Sequence, residues 1–177
     1  DKGGAPLAFT YSVPNKNQCK QCHSSHGDVM PIGPVAQNLV FPRAGDKQAV
    51  LGSLTVAAEA AWDDAKAPIA LRAASYLRVN CGHCHSPGGS ASNSGLFFDK
   101  PMTEPAHYGI GKRPVAAGRG SGDDDFVIEP GHPERSILIY RMNSTDPGIA
   151  MPELGRSTVH EEGVALLEKW IASLPAN

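Results

Sequence analysis

Four cysteines stand in two copies of one pattern, Cys19-Lys20-Gln21-Cys22-His23 and Cys81-Gly82-His83-Cys84-His85. In C-x-x-C-H, two thiols sit one turn apart and an imidazole follows at once. Thiols so spaced add to the two vinyl groups of one porphyrin, and the next imidazole meets the iron from one face. This is the attachment pattern of c-type haem. The chain has 4 Cys in all, so two covalent haems use every thiol and no structural disulfide is expected.

Other chemistries of paired cysteines fit less well. Zinc ribbons separate their CxxC pairs by roughly 15–20 residues, whereas Cys22 and Cys81 are several times further apart. A histidine directly after each pair is also no requirement of zinc. A thioredoxin-like CxxC needs a βαβ setting, and neither motif has one. Disulfides would be open to the chain only in an oxidising compartment.

Met151, in Met151-Pro152-Glu153-Leu154-Gly155, is the expected ligand opposite His85. A thioether is a soft donor that binds haem iron opposite histidine and raises its potential, and Pro152 stiffens the loop that presents it. Met142 lies in an apolar run, Ser136 to Met142, and reads as core instead.

The ligand opposite His23 is less determined. Met30 and His26 follow His23 too closely to reach the far face of the ring, and His83 lies inside the other motif. His160 is the first candidate, because it occupies a helix start where Ser, Thr, Asp or Asn is the usual cap. His107 is the second, and His132 reads as a turn residue. Should no histidine of the same chain reach this iron, a neighbouring copy would have to supply one. That would join subunits into a filament of closely spaced haems.

Arg119 and Arg113 are candidate partners for haem propionates, since a guanidinium meets a carboxylate through two parallel N–H bonds. Asp123-Asp124-Asp125 lacks the pattern of an EF-hand loop and reads as a solvated acidic turn.

Two segments must position these groups. Residues 68–80 put Ile69, Ala73, Tyr76, Leu77 and Asn80 on one helical face, with Pro68 at the first helical position, and run straight into Cys81. Residues 160–173 carry a stripe of Val164, Leu167 and Ile171 with Trp170 beside it. Glu161 and Glu162 open that helix and Lys169 lies near its end, as the helix dipole favours. Residues 11–45 are rich in Pro, Asn, Gly and Lys and read as loop. Residues 47–62 have room for a short helix, weakened by Gly52.

Bulk properties narrow the class. The chain has 177 residues, enough for one domain with an appended segment. A formal net charge of −2 argues against nucleic acid or an anionic membrane surface as the main partner. No apolar run reaches the length of a membrane span. With 19 Gly and 15 Pro, much of the chain is expected to be loop. It opens at Asp1-Lys2-Gly3-Gly4, which reads as a processed form or a fragment.

Residues 61–177, with a helix entering CxxCH, a Met loop and a C-terminal helix, resemble a class I cytochrome c domain. The whole chain resembles a family of bacterial di-haem c-type cytochromes. That likeness is carried by Val13-Pro14-Asn15-Lys16-Asn17-Gln18-Cys19, Pro31-Ile32-Gly33-Pro34, Pro114 to Gly122, Met151 to Gly155 and His160-Glu161-Glu162-Gly163. Members of that family usually carry a longer region before the first motif.

The expectation is therefore a mainly α protein. Residues 1–60 form a loop-rich segment carrying haem 1, and residues 61–177 a class I cytochrome c-like domain carrying haem 2. The resemblance implies electron transfer outside the cytoplasm, in the periplasm or beyond the cell. The partners would be redox proteins or copies of the chain itself. The alternative is a di-haem enzyme, peroxidase-like, with an open iron at haem 1. No acid–base pair beside the first motif speaks for it.

Overall fold

The computed structural model describes residues 8–33 and 59–176. Among these the architecture is mainly α: four α-helices, several single turns of 3-10 helix and one two-stranded ribbon.

The first helix, α1 (Lys16–Cys22), lies inside the stretch expected to be loop, and that expectation is corrected here. Asn15 Oδ1 accepts the N–H groups of Asn17 and Gln18, each at 3.0 Å, and Gln18 Oε1 accepts Asn15 N–H at 2.9 Å. This reciprocal capping box satisfies donors that a seven-residue helix otherwise leaves open. The ribbon follows, with β1 (Ser24–Ser25) antiparallel to β2 (Asp28–Val29). Its two-residue turn places both His26 (φ 52) and Gly27 (φ 91) in the left-handed region, the backbone of a tight primed hairpin turn. Residues 47–58 of the possible short helix lie outside the described residues, and residues 59–62 are not helical.

The second helix, α2 (Ile69–Cys81), ends on the first cysteine of the second motif. Pro68 is its N-cap rather than its first helical residue, a shift of one position. Ala73, Ala74, Ser75 and Leu77 form its buried face. The apolar run after Ser136 becomes α3 (Ile137–Asn143), with Ile137, Ile139 and Met142 buried as expected. The C-terminal helix, α4 (Glu161–Ala172), buries the expected Val164, Leu167, Trp170 and Ile171 together with Leu166.

Helices α2 and α4 pack on each other, and α3 packs on α4. Their shared core holds Leu77, Leu167, Trp170 and Ile171, closed over by Phe98, Tyr108 and Ile128 from the long connection. Each fully buried aliphatic or Phe side chain contributes roughly 1.5–3 kcal/mol, so this cluster is the frame on which the connection hangs. Gly163 makes the close approach of α4 possible: a Cβ there would run into the ring and hydroxyl of Tyr76 on α2. No helix among the described residues is long and apolar enough to cross a membrane.

Candidate functional site

The second motif forms at the end of α2, where His85 N–H donates to the Cys81 carbonyl at 2.9 Å. The His85 side chain is 8% exposed. Its Nδ1 lies 3.1 Å from Ser94 Oγ. The Ser94 hydroxyl donates its one proton to the Ala91 carbonyl at 2.6 Å and accepts Leu96 N–H at 3.2 Å. Ser94 therefore accepts from His85, so Nδ1 carries the imidazole proton and Nε2 keeps its lone pair. Burial, reinforced by the charges of Arg141 and His83, pushes the His85 pKa down to about 4. The imidazole is thus neutral near pH 7 and oriented by its back nitrogen, the form in which histidine binds a metal. The Phe98 ring stands edge-on at 5.4 Å, and Phe98 N–H donates to the His85 carbonyl at 2.9 Å.

His85 and Cys81 open onto a cleft of about 980 Å³, part of it continuous with solvent. Its walls are mainly apolar, including Leu96, Phe98, Val127, Ile137 and Leu138. Met151 lines the same cleft, so the structure brings together the histidine and methionine that the sequence paired across five elements of chain. Met142 also touches this cleft while belonging to the core.

The Met151 loop is tied to α3. Met151 N–H donates to the Arg141 carbonyl at 3.1 Å, and Arg141 Nε donates to the Ile149 carbonyl at 2.8 Å. Arg156 closes the loop from the other side, donating to the carbonyls of Met142 (2.9 Å), Arg141 (3.2 Å) and Ser144. Asp146 organises the approach: its carboxylate accepts Gly148 N–H at 2.7 Å and its carbonyl accepts Ile149 and Ala150 N–H at 2.9 and 2.7 Å. The Met151–Pro152 peptide is cis. Arg141 and Arg156 escaped sequence reasoning, because nothing local marks an arginine whose partners are carbonyls of a distant loop.

The first motif repeats the histidine arrangement with different parts. His23 Nδ1 lies 3.2 Å from the Met30 carbonyl, and Met30 N–H donates to the His23 carbonyl at 2.7 Å. A carbonyl only accepts, so Nδ1 again holds the proton and Nε2 the lone pair. His23 and Cys19 line a second cleft, of about 770 Å³, with Lys16, Lys20, Val29, Met30 and Pro31. The Met30 carbonyl thus anchors the Nδ1 end of the imidazole, behind the nitrogen left for a metal, and Met30 also lines the cleft. The cleft is one-sided: Val29 and Met30 are largely exposed.

The remaining cysteines of the two motifs meet. The ligand atoms of Cys22, His83 and Cys84 all lie within 4.8 Å of one another. Burial pushes the Cys22 thiol up to about 11, with Cys84 adding to the rise. Burial opposes ionisation of Cys84 too, but hydrogen bonds from His83 and Ser90 outweigh it and its pKa is lowered. Burial pushes Cys81 up to about 12. All four cysteines are free thiols.

Other expected site residues are engaged elsewhere. His160 has Glu162 at 3.7 Å from Nε2, its Nδ1 and the Tyr76 hydroxyl share a hydrogen bond at 3.0 Å, and its ring packs against those of Tyr76 and Trp62. It is the N-cap of α4 without capping through its side chain. His107 lies 3.4 Å from Glu104 and packs on Phe97. Neither lines the cleft of His23. Arg119 makes a two-pronged pair with Asp146 at 2.8 and 3.1 Å, and Arg113 pairs with Asp125 at 2.7 Å. Neither arginine lines the His85 cleft, which takes Arg141 instead.

The four thiols do not gather at one point: of the cysteines, only Cys22 and Cys84 meet in the cluster with His83. Cys19 and Cys81 open onto different clefts, and Cys22 and Cys84 line neither. Each motif instead offers one thiol and one back-anchored, lone-pair-bearing imidazole to its own cleft. No protein-family model, curated protein or solved structure matches this chain.

Proposed function

We propose that the chain is a di-haem c-type cytochrome that transfers electrons outside the cytoplasm, with a class I cytochrome c-like domain over residues 61–177. The observation that carries this reading is the state of two histidines. His23 and His85 each follow a CxxC pair, each has Nδ1 fixed by an acceptor, and each is left with the Nε2 lone pair a metal takes.

In this reading Cys19, Cys22 and His23 hold one haem, and Cys81, Cys84, His85 and Met151 hold the other. Bound there, the group supplies one-electron chemistry between ferric and ferrous iron. The protein supplies the rest. Ser94 and the Met30 carbonyl hold each imidazole in the ligating tautomer, and the apolar walls around His85 exclude water. The Arg141 and Arg156 ties keep the Met151 sulfur at its cleft, where a thioether favours the ferrous state and raises the potential. Among the described residues the His23 cleft is lined by neither His107 nor His160, and an iron held there without a methionine opposite would have the lower potential or an open position. The partners are redox proteins or further copies of the chain. A sixth ligand from a neighbouring copy at the exposed His23 cleft would build the filament.

A second reading is favoured by the cluster of Cys22, His83 and Cys84, whose soft donors suit a zinc ion in a chain without haem. The mass of the protein from a host competent in cytochrome c maturation separates the two. Two covalent haems support the cytochrome, and a zinc-loaded chain without added mass rejects it. Electron paramagnetic resonance of the oxidised protein, dilute and concentrated, then defines the His23 site. Low-spin iron at both concentrations means two ligands from one chain. High-spin iron that vanishes on concentration means a ligand from a neighbour, and persistent high-spin iron means an open, peroxidase-like site.

A further inference from the structure

The thiols of each motif point to different places. Cys19 lines the His23 cleft, and its Sγ lies 3.8 Å from the Pro14 carbonyl. Cys81 lines the His85 cleft. Cys22 and Cys84 line neither cleft, and their sulfurs lie within 4.8 Å of each other. The Cys22 thiol donates to the Cys84 sulfur. Cys22 ends α1 and Cys84 stands in the turn after α2, so the contact joins parts of the chain far apart in sequence. The backbone holds it there. The Gln21 carbonyl lies 3.9 Å from Cys84 Sγ, and His26 N–H donates to the Gly88 carbonyl at 2.9 Å. The His26 ring fills the space a Cβ at Gly88 would need, and a Cβ at Gly89 would meet the Cys84 carbonyl. Two glycines thus let the hairpin turn after the first motif sit directly on the loop after the second. Both cysteines are partly exposed, within reach of a reagent from solution.

We propose that Cys22 and Cys84 are a site of reversible oxidation in the chain that carries no haem, closing into a disulfide between the two motifs when a small-molecule disulfide is present. One cysteine attacks a sulfur of the oxidant, forms a mixed disulfide and releases one thiol. The other cysteine attacks the mixed disulfide and releases the second thiol. Two S–H bonds are lost, one S–S bond forms within the chain, and two electrons and two protons leave with the oxidant as its two thiols. A compartment outside the cytoplasm supplies such conditions. Four cysteines allow three complete pairings. The geometry selects a single bond and leaves Cys19 and Cys81, on separate clefts, as free thiols. The bond takes one thiol from each motif at once, so one reduction by a dithiol returns both. The bond itself does not depend on the haem reading; only its consequence for attachment does.

Disulfide mapping tests this on the full chain made without haem. The reduced chain is exposed to glutathione disulfide with a chelator present, so that no zinc ion holds the cluster. Free thiols are then alkylated and the peptides read by mass spectrometry. The expected result is a peptide pair joined through Cys22 and Cys84, with alkylated Cys19 and Cys81 and the loss of two alkylatable thiols per chain. Cys19→Ser combined with Cys81→Ser should leave the bond, and Gly88→Leu, which displaces His26, should lower its yield. Because variants can fail to fold, the deciding comparison uses the unaltered chain with and without urea. In urea the short-loop pairs Cys19–Cys22 and Cys81–Cys84 should replace the long-loop pair. Those short-loop pairs in native buffer, or one distribution in both conditions, overturns the proposal. The haem reading is judged separately, by the mass of the matured chain, so either can fail while the other stands.

Discussion

Ser94 Oγ sits 3.1 Å from Nδ1 of His85 with its own proton already given to the Ala91 carbonyl. This directs the hydrogen bond one way and fixes which imidazole nitrogen is left for a metal. An acceptor at Nδ1 makes the imidazole a stronger donor and so favours the ferric iron. Ser94→Ala should therefore raise the midpoint potential of the iron at His85, by no more than one net hydrogen bond, about 1 kcal/mol. A spectroelectrochemical titration reads both irons at once. The His23 midpoint should stay in place, and a downward shift at His85 would reject the argument.

Met151 and Met142 both touch the cleft, but only Met151 is assigned to the iron. Met151→Ala should abolish the red charge-transfer band of methionine–iron ligation and lower the potential. Met142→Leu conserves volume in a packed position and should cost less than ~1.5 kcal/mol, leaving the band intact. If the band survives Met151→Ala and disappears in Met142→Leu, the assignment is reversed.

Acid should release the Met151 loop through Asp146. Gly148 N–H and the Arg119 guanidinium hold the Asp146 carboxyl below the ordinary aspartate range. A carboxyl with a depressed folded-state pKa stabilises the fold at pH above its unfolded value and stops doing so as pH falls through the folded one. The methionine–iron band should accordingly persist down through the ordinary aspartate range and fade below it. In Asp146→Asn the acid step tied to this carboxyl should be missing. An unchanged acid profile in that variant would remove Asp146 from the account.

Much of this was legible in the sequence, because it depends on local spacing. The helix entering Cys81 and the stripe of α4 follow from short-range patterns that packing preserved, and Met151, singled out by its loop, lines the cleft of His85. The helix α1 was hidden by its composition, although Asn15 and Gln18 spell its capping box. His160 was misleading for a physical reason: its odd place at a helix start is explained by Tyr76, far off in sequence, which holds its Nδ1. Arg119 satisfied its fork on Asp146, a protein carboxylate, where a propionate was expected. The meeting of Cys22 with Cys84 was beyond reach, since it depends on how a hairpin seats on Gly88.

Arg156 is predicted to be the main clamp of the Met151 loop. Its guanidinium serves three carbonyls at the end of α3 and the turn after it; removing it takes this donor from the carbonyls of Met142 and Ser144, while that of Arg141 keeps the Met151 and Ser144 N–H groups. Each such loss costs about 1–3 kcal/mol, so Arg156→Ala should lower stability measurably and weaken the methionine–iron band under mild denaturant. Arg156→Lys should rescue little, because an ammonium cannot span the fork. Denaturant titration followed in the Soret region and at the methionine band reads both effects. Full rescue by lysine would mean that charge, not geometry, holds the loop.

Gly163 tests the frame rather than the site. The Tyr76 ring fills the place its Cβ would take, so α4 cannot keep its distance from α2 with any side chain there. Gly163→Ala would gain helix propensity, about 1 kcal/mol at an open position, yet here it must push α4 outward. Overpacking typically costs about 1–3 kcal/mol, so the net effect should be destabilising. Tyr76→Phe removes the hydroxyl nearest that Cβ and also the His160 hydrogen bond. Combining it with Gly163→Ala should recover part of the loss, giving a non-additive double-mutant cycle. Additive effects would show that the two helices do not meet through this pair. The same series read at the Soret band asks whether the His85 cleft depends on the helix pairing. Displacing α4 should perturb the cleft before the chain unfolds, because α3, which carries Leu138 and Arg141 of its wall, packs on α4.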